Sequence, residues 1–189
     1  MPMIREAIVT TVNAAGKAHL APFGLIASGE RWVIAPFRPS TTLDNLLAVP
    51  YAVANFTDDV RLFAGCLTGR RDWPIVPASR IVVPRLADAL AHAELAVEEI
   101  LEDATRPRFA CGLIHEEMHA PFGGFNRAKA AVIEACILVS RLHMLPREKV
   151  EQEIAYLSTA VEKTAGAEEA QAWAWLMEEI KAKYSAVSS

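Results

Sequence analysis

The pair Gly123-Gly124 divides this sequence into two stretches whose apolar residues recur with different periods. A chain patterned in that way does not fold as a single uniform layer. Before the pair, short runs rich in β-branched residues alternate with turn-forming residues; after it, apolar residues recur at helical spacing over long spans. The 189 residues suffice for a β-rich core with a helical appendage. The expected division is residues 1–122 and residues 123–189.

In the first part, residues 4–13 form a β-branched run, Ala14-Ala15-Gly16-Lys17 supplies a turn, and residues 18–28 complete a hairpin. Ser28-Gly29-Glu30 is a second turn, leading into a third strand at Arg31–Ala35. Leu43, Leu46 and Leu47 share one helical face, so a short helix is expected over 41–48, ended by Pro50. Residues 51–57 read as a fourth strand, and Asp58 is the expected cap of a second short helix reaching Leu67. Residues 106–119 read as another strand.

In the second part, Asn126 is positioned to cap a helix to about Leu142, Pro146 begins another that breaks at Ala165-Gly166, and a third spans residues 168–184. The last places Trp173, Leu176, Met177, Ile180 and Tyr184 on one stripe, which is the pattern of packing. Residues 86–104 are ambiguous. Of the whole chain 52% is hydrophobic, but 33 residues are alanine, and the Ala, Leu and Glu of this stretch favour helix by propensity while also permitting a long strand.

Net charge is −4, with no basic excess of the size a nucleic-acid surface needs. The start shows no basic segment followed by an apolar one, and no apolar run approaches membrane-spanning length, so a cytoplasmic protein that neither binds nor crosses a membrane is expected. Cys66, Cys111 and Cys136 are odd in number and lie in apolar contexts, as reduced core thiols do.

His115-Glu116-Glu117-Met118-His119 matches the H-E-x-x-H pattern of zinc proteases. That chemistry needs both histidines on one helical face, about 6 Å apart along the axis. On a strand they would be about 13 Å apart and could not share an ion. Gly112 before the motif and Pro121 with Gly123-Gly124 after it leave no room for a long helix, and no third ligand follows. The expectation is therefore no metal, with the histidines at the end of a strand.

Phe37-Arg38-Pro39-Ser40-Thr41-Thr42-Leu43 lies between the third strand and the first helix. Unpaired N–H groups at a helix start, with an arginine and several hydroxyls, suit a phosphate. An elaborate cap, including a Thr41–Asp44 capping box, accounts for the same residues. Asn55-Phe56-Thr57-Asp58-Asp59 offers groups for a heterocycle or simply a helix cap, and the cap is favoured. Arg127 and Lys129 at a helix start oppose the helix dipole, so they either hold an anion or are solvated. His19, followed by Leu20-Ala21-Pro22, either reaches a ligand or lies on an exposed strand face. No Gly-x-Gly-x-x-Gly, Walker or Ser/His/Asp pattern is present.

The hairpin from Ile8 through His19 and Pro22 to Gly24, the Arg38–Leu46 stretch and Ala54–Asp59, in this order, resemble the FMN-binding split-barrel superfamily. Within it the sequence is similar to an uncharacterised archaeal and bacterial family with a helical tail, here beginning at Gly124-Phe125-Asn126-Arg127-Ala128-Lys129. The resemblance implies a mainly β fold with α: an antiparallel six-stranded split barrel plus a C-terminal helical subdomain. It also makes residues 90–102 a strand, against their propensity. FMN is the implied cofactor, in a groove near the interface of a homodimer. Its phosphate would sit on Arg38, Ser40, Thr41 and Thr42, and its ring system along His19, Ala21 and Pro22 and along Asn55 and Thr57. Arg127 and Lys129 would contact the phosphate or a substrate anion. The implied function is a flavin-dependent oxidoreductase acting on a small molecule or reduced nicotinamide, with no catalytic side chain assigned. The alternatives are a flavin carrier or storage protein without turnover and, more remotely, a zinc hydrolase built on the histidine motif.

Overall fold

The structure, a computed structural model, describes residues 2–187. Its elements in chain order are β1 (Ile4–Val12), β2 (Ala18–Ser28), β3 (Arg31–Ile34), α1 (Thr41–Ala48), β4 (Tyr51–Phe56), α2 (Val60–Leu67), β5 (Ile75–Val76), β6 (Arg85–Leu86), β7 (Ala91–Leu101), β8 (Arg108–Met118), α3 (Arg127–Ser140), α4 (Arg147–Thr164) and α5 (Ala167–Val187). The chain divides into two compact units, Met1–Thr57 with Trp73–Phe122 and Asp58–Asp72 with Gly123–Ser189.

In the first unit six antiparallel strands close a barrel in the order β1-β2-β3-β8-β7-β4. The first hairpin is set locally: Asn13 Oδ1 accepts from the N–H groups of Ala15 and Lys17, and Gly16 takes the left-handed conformation at φ +77°. Closure comes from β4, which pairs Asn55, Ala54 and Val53 with Ile8, Val9 and Thr10. Inside lie Ala7, Val9, Leu25, Ala52, Ala54, Ala93, Leu95 and Phe109, together with Leu43 and Leu46 from α1. The small side chains at Ala52, Ala54 and Ala93 leave the space that Phe109 and the helix leucines fill.

The strand expected over residues 90–102 is present as β7, Ala91–Leu101. Over His92–Leu95 successive residues of β7 are all buried, so both faces are covered. The outer face there lies under residues 73–90, whose Ala78, Ile81 and Val83 pack with Val12 and Val53. Within that cover β5 and β6 pair over two residues each. Strands so short leave no periodicity for the sequence to display.

The second unit gathers four helices. The sequence-based division keeps residues 58–72 with the barrel; in the structure α2 packs against α3 and α5 instead. Its cap also differs from expectation. Asp59 closes α2, accepting from Arg61 N at 3.0 Å, while Asp58 forms an ion pair with Lys129. Asn126 does cap α3, through bonds from Ala128 N and Lys129 N, and its Nδ2 donates to Thr164 O at the end of α4. Of the expected α5 stripe, Leu176 is fully buried and Trp173 packs on Ala128, Ala131 and Val161. Among the described residues no helix is long and apolar enough to cross a membrane.

Candidate functional site

Arg38, Ser40, Thr41 and Thr42 stand together where the chain leaves β3 and enters α1. The three hydroxyls have three different settings. Ser40 is the N-cap, its Oγ accepting from Leu43 N at 3.3 Å, so the expected Thr41–Asp44 box is replaced by a cap one residue earlier. Thr42 is buried with Leu43, Asn45 and Leu46, and Thr41 faces solvent. The N–H groups of Thr41 and Thr42, in the first turn, have no acceptor within the helix. Asn45 Nδ2 donates to Thr11 Oγ1 at 3.0 Å, which fixes α1 on the barrel.

The Arg38 guanidinium is half-exposed. It pairs with Glu102 at 2.7 Å and donates from Nε to Asp103 O at 3.2 Å, so the β7–β8 turn holds it in place. Beside it, the Asp103 carboxylate accepts from Arg106 N and Thr105 N, which hold its pKa below the usual aspartate value. A shallow groove lined by Arg38, Glu102, Asp103 and Ala104 runs along this edge.

His19, Ala21 and Pro22 lie on β2 and are half-buried. His19 pairs with Thr11, the residue bonded to α1, which puts it on the stretch of sheet that carries the helix. β2 pairs with β1 along its length but with β3 only from Ile26 onward. Residues 18–25 are therefore an open strand edge. A proline at position 22 is compatible with the ladder because only one neighbouring strand needs its backbone groups there.

Other residues marked in the sequence are placed differently. Asn55 is fully buried, and its side chain is consumed by the barrel: Nδ2 donates to Ile8 O and Thr10 Oγ1, and Oδ1 accepts from Leu86 N. It clamps β4 to β1 and to the cover segment. Thr57 follows β4 and is half-buried. Arg127 and Lys129 belong to the helical unit, where Lys129 Nζ lies 2.6 Å from Asp58 Oδ2 and 3.8 Å from Glu169 Oε1. Carboxylates of its own unit thus meet the cation at the start of α3, and Arg127 is exposed.

His115–Met118 of the histidine motif lie on β8 and His119 follows directly, which excludes the helical zinc-protease arrangement. Its residues instead face β7, where Glu94 pairs with His115 and His92 with Glu117. Sequence reasoning missed His92 and Glu94. Folding the two expected strands back on each other about their turn would have set His92 opposite Glu117. Burial raises the pKa of the Glu94 carboxyl, but hydrogen bonds from Ser79 N, His92 and Arg80 N outweigh it and leave the group below the ordinary glutamate value. Ser79 and then His115 lower Glu117, while burial, Arg85 and His92 lower His119.

A family model described as the N-terminal domain of a protein of unknown function, DUF447, matches residues 5–120, and the corresponding C-terminal model matches residues 126–178. An FMN-bound protein from Methanosarcina mazei, assigned to the same family model, is 21% identical with a TM-score of 0.81, over 95% of this chain and 96% of that one. The 2-nitrobenzoate 2-nitroreductase of Pseudomonas fluorescens is 22% identical, with a TM-score of 0.53 over 63% of this chain and 66% of that one. An FMN-binding protein from Thermus thermophilus with bound 1-cyclohex-2-enone is 16% identical, with a TM-score of 0.51 over 62% and 71% of the two chains. No curated protein matches this sequence. The solved structures share the fold, and the two models match the chain in order across both its β-rich and its helical parts: the chain belongs to the DUF447 family.

Proposed function

We propose that this protein binds FMN, with the phosphate at the start of α1 and the ring system along the open edge of β2, and that it is a flavin-dependent oxidoreductase. The observation that carries this reading is the pairing of two complementary features in one barrel unit. A helix start with Arg38, the Thr41 hydroxyl and two first-turn backbone donors that have no acceptor within the helix suits a phosphate. The stretch of β2 that β3 does not pair, with His19 on it, suits the polar edge of a flat heterocycle. The FMN-bound protein of Methanosarcina mazei and the FMN-binding protein of Thermus thermophilus, both of this fold, support the choice of ligand.

Bound flavin would supply hydride or electron transfer to a small molecule or from a reduced nicotinamide. The chain's own part is binding and orientation. Arg38 would exchange Glu102 for the phosphate, Thr41 would donate to it, and the backbone of residues 18–25 would hold the ring. Asn55, with its polar atoms already bonded, acts by holding β4 to β1. A homodimer with the flavin near its interface is part of the same proposal. Phe37, Ile100 and Leu101 are exposed large apolar residues flanking the groove at Arg38, and a second copy would cover them.

The test is direct. The purified chain should bind FMN in a one-to-one ratio, and Arg38→Ala should weaken binding about 10–100-fold, the worth of a charge-assisted hydrogen bond. Unchanged affinity in that variant would remove the phosphate site. Anaerobic mixing with NADH or NADPH separates an enzyme, whose flavin bleaches within turnover times, from a carrier, whose flavin stays oxidised. Sedimentation should give twice the chain mass.

A further inference from the structure

The adjacent strands β7 and β8 bring together a histidine and carboxylate group that flavin binding at α1 and β2 leaves unused. We propose that His92, Glu117 and His119 form a site for a divalent first-row transition ion of the zinc class. One ligand atom from each of these three residues lies within 4.8 Å of the other two. His92 Nδ1 and His119 Nε2 face each other at 2.9 Å across rings that are nearly parallel, 8° apart. Two imidazole nitrogens in that position share either a proton or a cation. Two ligands at zinc–nitrogen distances subtend about 3.3 Å in a tetrahedral site, so a small rotation of the exposed His119 ring suffices.

The surroundings resemble the support of a metal centre more than a chance contact. His92 is fully buried, and its other ring nitrogen, Nε2, lies 3.2 Å from Glu94 Oε1. The Glu94 carboxylate is fixed in turn by Ser79 N at 2.6 Å and Arg80 N at 2.8 Å. A carboxylate on the distal nitrogen orients a ligating imidazole and selects its tautomer. Glu117 is steadied by Ser79 Oγ at 3.2 Å. Ring nitrogens with one carboxylate oxygen suit zinc, copper or nickel and leave a fourth position for water. The histidine motif thus contributes two ligands, Glu117 and His119, and a neighbour in space, His92, replaces His115.

The experiment uses the full chain, freed of metal by a chelator and titrated with Zn²⁺ in a calorimeter, with and without FMN. One ion should bind per chain in both conditions, so the outcome is independent of whether flavin binds. His119→Ala and Glu117→Gln, both at exposed positions where folding is retained, should each weaken Zn²⁺ at least about tenfold. His115→Ala should bind as the parent does. Absence of Zn²⁺ binding, undiminished binding in His119→Ala, or loss of binding in His115→Ala would each overturn the proposal.

Discussion

Arg38 and Glu102 meet at 2.7 Å and tie the loop before α1 to the end of β7. The pair is exposed, so its worth is on the order of 0.2–1 kcal/mol. Glu102→Gln should therefore release Arg38 and tighten FMN binding about 1.4- to fivefold, measured by quenching of flavin fluorescence. Equal or weaker binding in that variant would show that Arg38 does not change partners.

Asn55 bonds Ile8 and Thr10 of β1 and Leu86 of the cover segment. Asn55→Ala should destabilise the barrel by about 2–3 kcal/mol, because buried donors and acceptors lose their partner. The denaturation midpoint reports this loss. FMN affinity of the folded variant should stay near the parent value, and a large drop in affinity at unchanged stability would restore Asn55 as a direct ligand.

Glu94 makes stability depend on acidity. Its folded pKa is depressed, so its contribution is fully present above the unfolded value of about 4.3 and disappears as pH falls through the folded value. The facing groups are His92 and the backbone N–H groups of Ser79 and Arg80. Melting temperatures of the parent should drop in this acid range. Glu94→Gln should start lower at neutral pH and lose part of that slope. Parallel curves for the two proteins would contradict the assignment.

Burial pushes the Cys66 thiol up to about 11 and the Cys111 thiol up to about 12. Both are protonated and shielded, so iodoacetamide at about pH 8 should label neither in the native protein and both after denaturation. Mass spectrometry of the two states distinguishes this from rapid native labelling.

Much of the fold can be read from local pattern. The Asn13–Lys17 turn, the leucine face of α1 and the Asn126 cap each carry their own signal within a few residues. Residues 91–101 do not: buried on both faces near His92–Leu95 and rich in Ala and Glu, they show helix propensity, and only the resemblance to barrel proteins corrected it. The site divides in the same way. The helix start at Ser40–Thr42 is contiguous and visible. The saturation of Asn55 by Ile8, Thr10 and Leu86, and the meeting of His92 with His119, arise from residues 27 to 47 positions apart in sequence, and no local pattern encodes them.

Leu43 and Leu46 reach from α1 into a barrel interior that Ala52, Ala54 and Ala93 keep roomy. A helix that supplies part of the core cannot detach without opening the barrel, so its first turn shares the barrel's unfolding equilibrium. Occupancy at Arg38–Thr42 is then thermodynamically linked to melting of the whole β unit. A ligand at a hundred times its dissociation constant would add about 2.7 kcal/mol to the stability of that unit. Thermal denaturation becomes a binding assay, able to rank candidate ligands by chemistry before any reaction is known.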